Sequence, residues 1–257
     1  MVTKLSKRIY TGLIFLFLYT PIIVLIILSF NESKSSATWG GFSLKWYFAL
    51  LKDRTIMKAL YYTVTIAVLS SLISTVIGTF AAFGIHNMKP IFRKTVLGVN
   101  NIPIVNPDIV TGISLMALYY FLSISLGFTS MLIAHITFNI PYVILSVLPR
   151  LRQMPKDTME AAMDLGATPW YAFRKVIIPE ILPGIITGAL IAFTLSIDDF
   201  VISFFTTGGG VTNLSIVIYA MAKRGINPKI NALSTLMFAS VMLLLVIVNF
   251  RTKKEEI

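Results

Sequence analysis

The stretch Arg150–Pro183, RLRQMPKDTMEAAMDLGATPWYAFRKVIIPEILP, lies between two apolar runs and decides how the chain is read. It holds Glu160-Ala161-Ala162-Met163-Asp164-Leu165-Gly166 and, after nine further residues, Val176-Ile177-Ile178-Pro179. Two membrane spans need no such order in the polar segment that joins them, whereas a docking surface for a soluble partner does. Pro155 suits a first helical turn, and Asp157 and Glu160 favour its positive end. Met159, Ala161, Ala162 and Leu165 supply a small, apolar surface, and Gly166 a helix terminus. A short helix is therefore expected within Pro155–Trp170, with Pro169, Pro179 and Pro183 halting helical continuation. An amphipathic helix on the inner leaflet fits the same residues.

The surroundings of the loop are membranous. Of 257 residues, 56% are hydrophobic and 13% charged, against about 25% charged in an average soluble domain. Mean hydropathy is +0.82. Six uncharged or nearly uncharged runs fit spans at about 9–30, 60–85, 96–122, 128–148, 181–205 and 232–250. The first is too long for a cleavable signal core and reads as an uncleaved anchor. With the N-terminus inside, 14 Lys and Arg fall in inner segments and 8 in outer ones. This is the direction of the positive-inside rule, so the net charge of +11 reflects topology and lipid headgroups, not nucleic acid. The tail Arg251–Ile257 reads as solvated.

Several chemistries are excluded. The chain has no Cys and two His, and no HExxH spacing. It lacks GxxxxGK[ST], so it is not itself an ATPase by motif, and no nucleophile–base or metal constellation appears. Gly208-Gly209-Gly210 reads as a break between elements. Asn31-Glu32-Ser33 and Asn213-Leu214-Ser215 fit a glycosylation tripeptide, a short pattern read as accidental. No repeat or linker divides residues 1–257, which are read as one domain.

The spans themselves are irregular. Pro103 and Pro107 flank Asn106 and favour a kink or an unwound turn, which survives at membrane depth only where protein or a wet cavity covers it. Asp108, Asp198 and Asp199 are the only acids within the expected spans, and no Lys or Arg accompanies them. Intramembrane charges are costly and mark pathways. At 1.5 Å per residue Asp198 lies ~22 Å above Pro183 and Asp108 ~18 Å from Val96, similar depths that let two helices share one acidic cavity. Such a cavity suits a cation. Ser196, three residues before Asp199, shares its face. Tyr19 in the first span and Trp46 in the outer loop offer aromatic faces to a cation. The plainer alternatives are packing for Tyr19, interfacial anchoring for Trp46, helix capping for Asp108 and pairing with another subunit for Asp198 and Asp199. His135 and Asn139, at i and i+4, read as interhelical hydrogen-bonding groups. The segment around Leu44–Leu51 reads as a short interfacial helix.

Glu-Ala-Ala-x3-Gly-x9-Val-x-Ile-Pro resembles the EAA loop of ABC importer permeases, EAA-x3-G-x9-I-x-LP, with Val176 for Ile and Ile178 for Leu. That resemblance implies an all-α polytopic permease of the type I, MetI-like fold. Its cytoplasmic loop at about 150–183 would couple Glu160, Ala161, Ala162 and Gly166 to a partner ATPase. Further stretches are similar to the spermidine/putrescine (polyamine) branch. They are Trp39–Tyr47, Pro107–Val110, His135–Phe138, Leu195–Asp199 and Asn231–Thr235. The implied assembly has a cytoplasmic ATPase homodimer that binds ATP and Mg, a sister permease and an extracytoplasmic substrate-binding protein. It sits in a bacterial inner membrane with both termini of this chain cytoplasmic. Cargo would cross by alternating access, with no cofactor in this chain. Permeases for ferric iron or thiamine, and an ion-coupled secondary transporter, are the competing readings.

Overall fold

The computed structural model describes residues 4–35, 37–155, 157–225 and 228–254. Lys156 lies outside them, as do the side chains of Lys4 and of the tail Arg251–Ile257. The described chain is helical, with one isolated bridge between Asn31 and Phe42. In order the elements are α1 (Lys4–Ser29), α2 (Lys45–Leu51), α3 (Arg54–His86), α4 (Pro90–Val105), α5 (Asp108–Phe121) and α6 (Phe128–Gln153). Then follow α7 (Thr158–Asp164), α8 (Pro169–Ala172), a π-turn over Phe173–Ile177, α9 (Ile178–Asp198), α10 (Val201–Thr206), α11 (Leu214–Lys223) and α12 (Pro228–Lys254).

Four stretches are long and apolar enough to cross a membrane, and a fifth is a bent pair. The straight ones are Lys7–Ser29, Arg54–His86, Phe128–Gln153 and Pro169–Asp198. The sixth expected span coincides with α12, whose side chains from 244 onward are outside the described set.

One span has the break expected of its prolines, and another is shifted. The run 96–122 is not one helix: α4 and α5 meet at 106°. Pro107 pushes Asn106 out of the helical region, to φ −73° and ψ 143°, so the chain turns there. The run 181–205 is shifted. Its helix starts at Pro169, continues through the π-turn and ends at Asp198. Pro169 sits in a first turn, and Pro179 follows a π-turn closed by Ile178 N–H to Phe173 O, five residues back. Pro169 has no helical N–H bond to lose in a first turn, the wider register accommodates Pro179, and Pro183 lies inside α9, so none of the three halts the helix as expected. Gly208–Gly210 does interrupt structure between α10 and α11, and a Cβ at Gly208 would collide with the Leu126 carbonyl.

The contacts form two compact units, residues 59–216 and residues 1–58 with 217–257. In the first, α6 and α9 are the central pair. A Cβ at Gly184 would stand 2.9 Å from Ser146 O, and one at Gly188 3.2 Å from Val143 Cα. These glycines let two backbones approach, as small residues do in membranes. Around them pack Ala82, Ile85, Val147, Leu151, Phe173 and Ile181. A second cluster joins Tyr119 of α5, Ala134 and Phe138 of α6 and Ile202 of α10.

In the other unit α12 packs against α1 and α2, and Asn31 organises the α1–α2 connection. Its Oδ1 accepts from Gly40 N (2.8 Å), its Nδ2 donates to Thr38 O (2.8 Å) and its carbonyl receives Trp46 Nε1 (2.7 Å). Lys229 Nζ meets Asp53 Oδ2 at 2.9 Å. The bond to Lys229 holds the Asp53 carboxyl below its ordinary range.

Two outcomes are expected. Gly188→Val forces α6 and α9 apart and destabilises by roughly 1–3 kcal/mol, read as a lower melting temperature of the purified subunit or complex. A folded pKa below the unfolded one means that the Asp53–Lys229 tie contributes above the unfolded value and is lost as pH falls through the folded one. The contribution is at most about 1 kcal/mol, and Lys229→Met removes that acid-side dependence in melts between about pH 6 and 3.

Candidate functional site

At the polar loop, α7 is shorter than the sequence suggests, and Pro155 precedes its first turn with Asp157 at the N-cap. The helix ends as a Schellman motif. Gly166 has φ +88°, its N–H reaches Met163 O (2.8 Å), and Ala167 N–H reaches Ala162 O (3.1 Å). Glycine is required there because other side chains are strained at that φ. Met159 turns inward onto the cluster of Leu151, Phe173 and Ile177. Glu160 and Ala161 are exposed, and Leu165 is 90% exposed. A cavity of ≈480 Å³ opens beside them, lined by Ala162, Leu165, Gly166, Thr168, Tyr171 and Val176. The helix thus holds an exposed apolar side chain beside a groove.

The acids sit at the two breaks in the spans. Asp108 is the first residue of α5, exposed and unbonded to the cap, where the helix N-terminus favours its charge. Asp198 is the last residue of α9 and is exposed. Its neighbour Asp199 differs: the side chain is 8% exposed, Oδ1 accepts from Ile202 N (3.1 Å), Oδ2 accepts from Ser203 N (2.7 Å), and His135 Nε2 lies 3.6 Å away. Gly112, one turn beyond Asp108, packs against Val201 and Phe205 just past Asp199, so the two breaks approach each other. Asp199 meets α6 at His135.

Ser196 is buried and its hydroxyl is engaged, 3.0 Å from Ser70 Oγ and 2.8 Å from Asn139 Nδ2. His135 and Asn139 do bond across helices, His135 through Ser203 Oγ (2.9 Å). Tyr19 and Trp46 belong to the unit containing residues 1–58 and are not brought together there. Tyr19 is 41% exposed and stacks on Phe15. Trp46 is buried, donates to Asn31 and lines a cavity of ≈520 Å³ with Lys34, Arg224 and Lys229. Sequence reasoning missed Asn213, whose Nδ2 donates to Asp199 O and Ser203 Oγ, both at 2.8 Å. Only its accidental tripeptide had drawn notice, and the side chain is 2% exposed.

The sequence pattern described as "Binding-protein-dependent transport system inner membrane component" matches residues 74–252. Over 250 residues, 97% of each chain, the protein is 37% identical to the spermidine/putrescine transport system permease protein PotC of Haemophilus influenzae. It is 40% identical over 238 residues to the putrescine transport system permease protein PotI of Escherichia coli (strain K12), covering 88% of this chain and 83% of that one. A bacterial ABC transporter that imports the acidic polysaccharide alginate has a similar chain (TM-score 0.74, 17% identity, 98% and 94% of the two chains). So has the MetNI methionine ABC transporter in inward-facing conformations (TM-score 0.65, 21% identity, 79% and 98%). The last two likenesses establish an all-α permease fold. With loop motif, broken spans and full-length similarity in agreement, this chain belongs to the inner membrane components of binding-protein-dependent transport systems.

Proposed function

We propose that the chain is the permease subunit of an ATP-driven importer of polyamines, spermidine or putrescine. The observation that carries the substrate class is Asp198. It projects from the C-terminal end of α9, where the helix dipole adds negative potential, and no Lys or Arg occurs in residues 95–149 or 176–222. Asp108, one break away, supplies a second carboxylate. Two separate carboxylates suit a molecule with ammonium groups at both ends of an apolar stem. The names of PotC and PotI support the same class.

Trp46 fits this role poorly. It shares its cavity with three cationic side chains, and its indole N–H is already used, so we assign it to anchoring the α1–α2 connection. Ser196 acts indirectly by holding α9 to α3 and α6, and Tyr19 remains available to solute or a neighbouring subunit. Residues 1–257 act as one permease domain. A second, related permease completes the pathway, a binding protein delivers cargo outside, and both termini face the cytoplasm. A cytoplasmic ATPase homodimer binds ATP and Mg and docks on Glu160, Ala161, Ala162, Leu165 and Gly166. Its closure moves α7 and turns the pathway from inward- to outward-facing, and hydrolysis resets it.

Reconstitution of the complete importer tests this reading. ATP-dependent spermidine uptake, competed by putrescine and not by thiamine or ferric iron, is expected. Uptake that follows a proton gradient without the ATPase overturns it. Asp108→Asn weakens transport ~10- to 100-fold in uptake efficiency, the worth of a charge-assisted hydrogen bond of about 1.5–3 kcal/mol. Gly166→Val and Glu160→Lys reduce co-purification of the ATPase or its stimulated hydrolysis while the permease pair still assembles. Normal coupling in both variants removes the docking assignment.

A further inference from the structure

Adjacent acids in an intramembrane site invite a common role, yet Asp198 and Asp199 stand in opposite environments. Both Asp199 carboxylate oxygens receive backbone N–H groups at the start of α10, from Ile202 and Ser203. Ser203 Oγ is 2.9 Å from His135 Nε2 and receives Asn213 Nδ2 at 2.8 Å. Asn213 Nδ2 also bonds Asp199 O (2.8 Å), and its Oδ1 accepts from Ile216 N (2.9 Å). Ser215 Oγ reaches Asp198 O at 3.2 Å, and Leu214 N reaches Thr63 Oγ1 at 2.9 Å. His135, Ser203 and Asn213 are each at most 2% exposed. The backbone between α9 and α10 is thus gripped from α6 and from the start of α11, which Thr63 of α3 holds in turn, and the grip closes on Asp199. With one acceptor site on each oxygen taken and the side chain only 8% exposed, that carboxylate offers a cargo ammonium little approach.

We infer that Asp199, His135, Ser203 and Asn213 form a clamp that fixes the break between α9 and α10 and so aims Asp198 into the pathway. Asp199 is a positioning residue, and Asp198 is the neighbour that touches the cargo. This goes beyond the polyamine reading by dividing the two acids, and it rests on that reading only for the identity of the cargo. The clamp explains why a span can stop in mid-membrane: the freed N–H groups of the new helix are met by a carboxylate, and the freed carbonyls by Asn213 and Ser215.

Two measurements on the reconstituted importer test it. In spermidine uptake, Asp198→Asn raises KM at least 10-fold with the maximal rate within 2-fold of the parent. Asp199→Asn and His135→Leu instead lower the maximal rate at least 5-fold with KM within 2-fold. His135→Gln, which keeps a side-chain N–H, restores at least half of the rate. A rise in KM alone for Asp199→Asn, matching that of Asp198→Asn, overturns the division. The second measurement needs no assumption about cargo and exploits a chain without cysteine. An Asp198→Cys variant is labelled with a cationic methanethiosulfonate, with the modification followed on this subunit. Adding His135→Leu changes the labelling rate at least 5-fold, and adding His135→Gln leaves it within 2-fold. An unchanged rate with His135→Leu shows that the cluster does not aim position 198 and overturns the clamp. Absence of spermidine uptake by the parent importer, with the labelling pattern intact, removes the polyamine reading alone.

Discussion

The close approach of α6 and α9 at Gly184 and Gly188 is the constraint on which the rest of the 59–216 unit depends. In hydrocarbon there is little hydrophobic drive between helices, and close packing with a few hydrogen bonds must hold them. The glycines remove the side chains that would keep the backbones apart. Further along the same pair, Ser196 and Asn139 come within 2.8 Å, and Ser70 of α3 closes the triangle. Further still, His135 stands beside Ser203 and Asp199. A polar seam therefore runs up an apolar bundle, and its upper end is where the helix breaks. One buried acceptor in the seam, Asn139 Oδ1, has no partner among the described residues.

What the sequence disclosed depended on how local the cause was. The loop was legible because its pattern is local: Gly166 adopts the left-handed conformation expected of it, and Glu160 and Leu165 face outward. The short helix after Leu44 and the break at Gly208–Gly210 were legible for the same reason. Prolines were half legible. Pro107 acts on its neighbour Asn106 and gave the bend its place, but not its 106°. Pro179 was misread because a π-turn, invisible in periodicity, absorbs it. Likewise the first turn of α7 lies beyond Pro155, which the residue preferences alone placed too early.

The acids were found by composition and separated only by structure. Nothing in Leu195–Asp199 tells which of two neighbouring aspartates meets backbone N–H groups and which faces outward. That depends on His135, 64 positions upstream, and on Asn213, 14 downstream. The two asparagines of the discounted tripeptides, Asn31 and Asn213, are both 2% exposed and organise the connections they sit in. Their spacing to Ser carries no signal; their burial does.

The run Pro169–Asp198 joins the groove beside Leu165 to the carboxylate of Asp198 as one rod of 30 residues, ~45 Å long. Successive side chains of an α-helix stand about 100° apart, so one residue more or less wound in below Asp198 sets that carboxylate on another face. The π-turn at Phe173–Ile177 is the place along the shaft where an extra residue is already wound in. The direction in which Asp198 points is thus set by winding as much as by position along the rod.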